Sequence, residues 1–147
     1  MEIKIKLLKE NAKLPTKGSD QAAGFDLYAC GDDYFEATIY PHETYKVGTG
    51  IAMSIPDGYF GALYARSGLA TKQGLRPANC VGIIDSDYRG EIAVALHNDS
   101  NDPQTYRNGD RIAQLVIQEY LPVEWNVVEN LDETDRGDGG FGHTGAR

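Results

Sequence analysis

The sequence predicts an all-β domain, a barrel or a sandwich, carrying one short helix. Three observations carry that reading. Apolar residues recur mostly with period two rather than 3.6. Turn-forming residues interrupt the chain every few positions. Only one stretch shows both a helix start and a helix stop signal. With 147 residues, 41% hydrophobic and 24% charged, the chain is long enough for one domain with its own core.

The elements follow in order. Ile3, Ile5 and Leu7 alternate with lysines, the pattern of a half-buried strand. Ala23-Gly24-Phe25-Asp26-Leu27-Tyr28-Ala29 reads as a strand of small residues around one aspartate. Short β-rich pieces continue at 38–40, 45–47, 50–54 and 58–63, separated by Pro41-His42 and Pro56-Asp57-Gly58. A helix is predicted over 67–73, with Ser67 as N-cap and Gly74 just past its end. Residues 75–84 read as a projecting hairpin. Ile92, Val94 and Leu96 alternate with Ala93 and Ala95, a strand with a small-residue second face. Beyond turns at Asn98-Asp99 and Asn108-Gly109, strands are predicted at 112–117 and, past Leu121-Pro122, at 125–128. Residues 1–130 form one domain on this reading, and 131–147 a glycine-rich arm.

Composition narrows the function. A net charge of −8 argues against a DNA or RNA surface, which selects for basic stripes. A small anionic ligand needs only a local cluster. Six of seven lysines lie at or before Lys46 and all seven arginines at or after Arg66, so the phosphate-gripping forks belong to the second half. No apolar run approaches the ~20 residues of a membrane span, and the alternating N-terminus is unlike a signal-peptide core. Cys30 and Cys80, fifty apart with no second ligand pair near either, read as two buried, reduced thiols of a cytoplasmic protein rather than a zinc site.

Five clusters carry chemistry. Asp26 in its small-residue strand can orient a hydroxyl or a metal-bound water, or simply satisfy a turn. Arg66-Ser67-Gly68 at a helix start is either a phosphate cradle or a structural cap beside an exposed arginine. Ile84-Asp85-Ser86-Asp87-Tyr88 sets two acids at a bend, and either can hold an attacking water; acids in tight turns also bond their own backbone. Gln114 sits in an apolar run, so it is either bonded structurally or aimed at a ligand. The last cluster is Arg136-Gly137-Asp138-Gly139-Gly140-Phe141-Gly142-His143-Thr144-Gly145, with five glycines in ten residues. Ordering such a segment costs about 1–2 kcal/mol per residue. It therefore stays disordered or orders on something that rewards an arginine, backbone amides and an aromatic ring together. A nucleoside phosphate does so, although no Gly-x-x-x-x-Gly-Lys-Ser/Thr loop or strand-to-helix Gly-x-Gly-x-x-Gly occurs.

Together and in this order, the five clusters resemble the five motifs of the trimeric dUTPase family, over essentially the whole chain. The resemblance implies a jelly-roll-like β-barrel assembled as a homotrimer, with sites at subunit interfaces and a flexible arm closing over a neighbour's pocket. It implies hydrolysis of dUTP to dUMP and pyrophosphate with Mg2+ held mainly by the triphosphate, keeping uracil out of DNA and supplying dUMP for thymidylate synthesis. Asp85 corresponds to the base that activates water, and Asp26 to the aspartate near the sugar and a metal-bound water. Arg66, Ser67, Gly68 and Gln114 correspond to phosphate contacts. Asn79 corresponds to the residue that reads uracil, and Tyr88 to the ring beneath the deoxyribose. Arg136 corresponds to the γ-phosphate clamp and Phe141 to the lid over uracil, with Gly142 and His143 beside it. Neither nucleic acid nor membrane is implied as a partner.

Two positions depart from the family pattern: Asp138 stands where many relatives have an uncharged residue, and His143 where serine is common. The nearest rival, a dCTP deaminase, needs a glutamate base; the nearest glutamate, Glu91, reads as the start of a strand. A non-enzymatic nucleotide sensor is the rival of a different class. Pyrophosphate release from dUTP separates these readings.

Overall fold

The computed structural model describes residues 1–31 and 36–140. Twelve strands occur among them: β1 (Lys4–Leu7), β2 (Thr16–Lys17), β3 (Phe25–Tyr28), β4 (Glu36–Ile39), β5 (Thr44–Gly48), β6 (Ile51–Ser54), β7 (Tyr59–Tyr64), β8 (Leu75–Pro77), β9 (Gly82–Ile84), β10 (Ala93–Asn98), β11 (Gln104–Arg107) and β12 (Arg111–Glu119). All their pairings are antiparallel. They form four sheets, ordered β2-β3-β12-β7-β9, β5-β10-β8, β1-β6 and β11-β4.

The all-β expectation holds, with jelly-roll-like sheets, but these sheets are open rather than closed into a barrel. Closure requires every strand to find two neighbours, and β1, β2, β4, β5, β6, β8, β9 and β11 each pair on one side among the described residues.

Alternation explains the core. Along β10, Val94, Leu96 and Asn98 point inward while Ala93, Ala95 and His97 are half-buried. Val94 and Leu96 join Ala29, Ile39, Val47, Leu75 and Ile112 in one cluster. Ile92 joins Leu27, Ile51, Met53, Leu63 and Leu115 in a second. β12 contributes to both, because a register shift between Arg111 and Ala113 lets Ile112 and Ala113 be buried in succession before Leu115 resumes the alternation. The buried Asn98 is fully bonded: its amide donates to the carbonyls of Ile39 (2.9 Å) and Asp102 (2.8 Å), and its oxygen accepts from Ser100 N (2.9 Å) and Oγ (2.7 Å).

Four further expectations are corrected. The helical turn covers 67–73 as expected, but it is π-type over Leu69–Gln73, and Gly68 rather than Ser67 stands at the N-cap of that segment, with no side-chain cap. Ser67 instead offers its carbonyl to the Thr71 hydroxyl at 2.6 Å. The stop signal was legible: Gly74 is left-handed at φ 69°. Residues 75–84 do not make a paired hairpin, since β8 joins β10 and β9 joins β7. No strand forms at 125–128, where the chain runs exposed without a partner strand. Cys30 is buried, its thiol donating to Asn11 Oδ1 at 3.1 Å, but Cys80 is exposed on the loop after β8.

Candidate active site

The central five-stranded sheet positions the first group of predicted residues. Register places Gln114 of β12 opposite Asp26 of β3 on one side and Tyr64 of β7 on the other. Asp26 is thereby next to the chain as it leaves β7 toward Arg66. Arg66 Nε donates to Asp26 Oδ1 at 2.8 Å, and Arg111 Nη1 donates to Oδ2 at 3.1 Å. Arg66 Nη1 also reaches the Arg111 carbonyl at 3.4 Å. Gln114 donates to the Ala65 carbonyl at 2.9 Å, which ties β12 to the same turn. Its side chain lies across Gly24, where an added Cβ would come within 2.5 Å of Gln114 Oε1. Glycine at 24 is thus what lets the glutamine lie flat there.

The result is a ledge of two guanidiniums on one carboxylate that is only 13% exposed. Ser67 and Gly68 follow directly and are exposed. Each arginine retains N–H donors beyond those used on Asp26, so an anion can be gripped without breaking the pair.

The second group surrounds a cavity of about 220 Å³ lined by Asn79, Gly82, Asp85, Tyr88, Lys46 and Glu91, among others. β9 carries the chain along its floor and ends at Ile84, so Asp85 emerges at the rim. Tyr88 N donates to the Asp85 carbonyl at 3.1 Å, closing the turn. Tyr88 Oη donates to the Glu91 carbonyl at 3.0 Å, and an added Cβ at Gly90 would meet that hydroxyl at 2.4 Å. The ring is therefore laid over Gly90, with glycine required beneath it. Asn79 turns back toward Gly82, its Nδ2 lying 3.2 Å from where a Cβ would be. Arg89 donates to the carbonyls of Ser86 (2.6 Å) and Tyr88 (2.9 Å), stiffening the acidic turn. Asp85 and Asp87 together line the adjoining depression with Phe60 and Tyr120.

Asn79, Asp85 and Tyr88 are thus brought together, as are Asp26, Arg66 and Gln114. That cavity does not include the ledge residues. The loop between β8 and β9 stands between the two groups: Asn79 lines the cavity, and Cys80 lines an open depression shared with Gly24, Ala65 and Gln114. Arg136 lies in the exposed arm, its Nε on the Gly139 carbonyl at 2.8 Å. Phe141, Gly142 and His143 lie outside the described residues.

Sequence reasoning assigned no role to Arg111, the second partner of Asp26. The available signal was its place beside Ile112, on the outward side of the strand that carries Gln114. Glu91 is structural, its Oε1 accepting from Gly50 N at 2.8 Å just before β10.

The described residues thus set an arginine ledge and, past the β8–β9 loop, a polar cavity holding an amide, a carboxylate and a tyrosine on an all-β scaffold. A model of the dUTPase family matches residues 10–145. The deoxyuridine 5'-triphosphate nucleotidohydrolase of Finegoldia magna is 47% identical over 97% of this chain and 99% of its own. That of Desulfitobacterium hafniense is 50% identical over 97% of each. The structure of Staphylococcus bacteriophage 80alpha dUTPase with dUPNHPP superposes with a TM-score of 0.84 at 30% identity, covering 98% of both chains. A mutant dUTPase from phage phi11 of S. aureus, described with a structural Mg(II) ion, superposes with a TM-score of 0.78 at 27% identity, covering 90% of this chain and all of its own. The chain belongs to the dUTPase family.

Proposed function

We propose that Asp85 is the base of this dUTPase, taking a proton from the water that attacks the α-phosphorus of dUTP. The chain is a dUTP diphosphatase: the water oxygen bonds to the α-phosphorus, the bond to the α–β bridging oxygen breaks, and dUMP and pyrophosphate leave. The observation that supports Asp85 is its exposed place at the rim of the cavity that Asn79 and Tyr88 also line. Asn79 reads the uracil edge and Tyr88 packs under the deoxyribose, excluding a 2′-hydroxyl. Arg66, Ser67, Gly68 and Gln114 bind phosphate oxygens, and Asp26 keeps Arg66 and Arg111 aimed. Phosphoryl transfer depends mostly on positioning and charge stabilisation, which a pre-formed ledge supplies.

The cofactor on this reading is Mg2+. Among the described residues no three His, Cys, Asp or Glu side chains converge as ligands. The ion would be carried mainly by the triphosphate, as the resemblance to the family implies, and Asp26, held by Arg66 and Arg111, would orient one of its waters. When bound, the ion neutralises phosphate charge. Dialysis against a chelator should abolish turnover, and added Mg2+ should restore it.

The active unit on this reading is a homotrimer, and the arm of residues 131–147 crosses to a neighbour's site. There Arg136 clamps the γ-phosphate, while Phe141, Gly142 and His143 close over the nucleotide. Support comes from the segment leading into the arm. Leu121, Val123, Trp125 and Val127 alternate along it at 80%, 63%, 91% and 94% exposure, an apolar edge that its own chain leaves uncovered. The enzyme works in the cytoplasm on this reading, where it keeps uracil out of DNA and supplies dUMP for thymidylate synthesis. No helix among the described residues is long and apolar enough to cross a membrane.

The deciding experiment compares wild type with Asp85→Asn. Nucleotide binding should persist while pyrophosphate release stops. Retained turnover would move the base to Asp87.

A further inference from the structure

The loop that carries Asn79 is short, exposed and must present one amide edge at a fixed angle. Its anchorage begins in the core. Asn98, buried and bonded through both amide atoms, fixes the turn after β10. The next residue, Asp99, is tied by its backbone N–H to the Gly74 carbonyl at 2.9 Å. Its carboxylate grips Arg76 of β8 with both oxygens, Nε to Oδ2 at 2.5 Å and Nη2 to Oδ1 at 3.0 Å. His97 Nε2 stands 3.3 Å from the same Oδ1, and its Nδ1 is 2.9 Å from Thr44 Oγ1. A two-pronged pair of this kind fixes the guanidinium plane as well as its position.

The remaining edge of that guanidinium points along the chain. Arg76 Nη1 donates to the Pro77 carbonyl at 3.2 Å, and the Cys80 thiol donates to the same oxygen at 2.6 Å. Two side chains from either end of the loop thus close on one acceptor, and Asn79 lies inside the loop they close. The Ala78 N–H bond to the Ala95 carbonyl, 2.7 Å, secures its middle to β10.

We propose that Arg76, held by Asp99 and working with Cys80 through the Pro77 carbonyl, is a positioning residue for recognition of the nucleotide base by Asn79. The inference rests on the reading that this loop meets uracil. Arg76 touches no reacting atom, so it acts on base binding and base choice rather than on the chemical step. A loop that drifts by a fraction of an ångström still admits dUTP but no longer presents Asn79 in register with the base.

Steady-state hydrolysis of dUTP and dCTP by the full-length enzyme tests this. Arg76→Ala should raise KM for dUTP about tenfold while kcat stays within about twofold, with a matching fall in the preference for dUTP over dCTP. Cys80→Ala should raise KM about threefold, and Cys80→Ser, which keeps a donor, should restore it. The Arg76→Ala/Cys80→Ala pair should fall short of the product of the single effects, because both act through one carbonyl. Arg76→Lys, which keeps the charge without the fork, serves if the alanine variant does not fold. The measurement to set beside these is Asn79→Ala. If Asn79→Ala raises KM while Arg76→Ala or Arg76→Lys leaves it unchanged, the positioning role is overturned and the reading of the loop stands. If Asn79→Ala leaves KM unchanged, the loop does not meet the base, and the reading itself falls. A loss confined to kcat in Arg76→Ala overturns the proposal as well.

Discussion

The arginine ledge and the cavity beside β9 are built on opposite principles. On the ledge the charges satisfy one another before any ligand arrives: Asp26 is only 13% exposed and both its oxygens are taken by arginines. In the cavity Asn79, Asp85 and Tyr88 all face solvent, and order comes instead from the backbone turn and the glycines beneath them. A ledge of paired charges is rigid and discriminates little, which suits phosphate oxygens that every nucleotide carries. A cavity of exposed polar edges leaves its bonds to be made by a ligand, on the proposed reading the base and sugar of dUTP. Substitutions in the ledge should therefore damage folding and binding together. Substitutions in the cavity should damage turnover or choice while the fold stands.

The sharpest contrast is Asp85→Asn, for which kcat should fall roughly 10²–10⁴-fold, the usual reach of a positioned base. Its melting temperature and its affinity for a non-hydrolysable dUTP analogue should stay near wild type. Truncation after Leu131 should come next, lowering kcat/KM about 10²-fold by removing Arg136 and the lid, with thermal unfolding of the domain unchanged. Full activity in the truncated protein would remove the arm from the mechanism. Asp26→Asn should break the ledge in both senses. Two guanidiniums lose their countercharge, so stability should fall by ~1–3 kcal/mol, and phosphate affinity should weaken as the forks lose their aim; calorimetry of unfolding and of analogue binding reads both. Phe141→Ala should weaken binding by ~1–3 kcal/mol if the ring stacks on uracil, an effect on affinity alone.

The smallest effect is a pH effect outside both regions. Hydrogen bonding from Arg76 outweighs an opposing desolvation and, with the charges of Arg76, His97 and His42, holds the Asp99 carboxyl below its usual range. A carboxyl with a lowered folded-state pKa stabilises the fold above its ordinary unfolded value. That contribution is lost as pH falls through the lowered one. The melting difference between wild type and Asp99→Asn should stay flat across neutral pH and shrink only below about pH 4.

How much of this could be read from the sequence follows from what alternation can and cannot report. Val94 and Leu96 announced β10, and Ile112 and Leu115 announced β12, because one face of each strand is buried. β11, Gln104–Arg107, has a single inward residue, Tyr106, and gave no pattern to see. Residues 125–128 alternate like a strand yet form none here, since alternation shows readiness to pair and not the presence of a partner. Ser67 has the chemistry of a cap, but it lies inside the helical turn and its carbonyl is used instead. That Asp85, Tyr88 and Asn79 share one cavity was legible because they crowd into ten residues around two turns. The hold of Arg111 on Asp26 spans 85 positions and exists only through the register of β3 on β12. The Pro77 carbonyl, where Arg76 and Cys80 meet, left no trace in composition or spacing.

The exposed segment after β12 also carries the only tryptophan of the chain, Trp125. Its indole is almost wholly in water in the isolated chain, so its emission should lie far to the red. Burial against another subunit would shift that emission to the blue and protect it from a soluble quencher. The molecule thus holds an optical probe at the point where the last strand gives way to the exposed segment that follows it. Association can be followed by diluting the unlabelled protein, independently of whether any nucleotide is turned over.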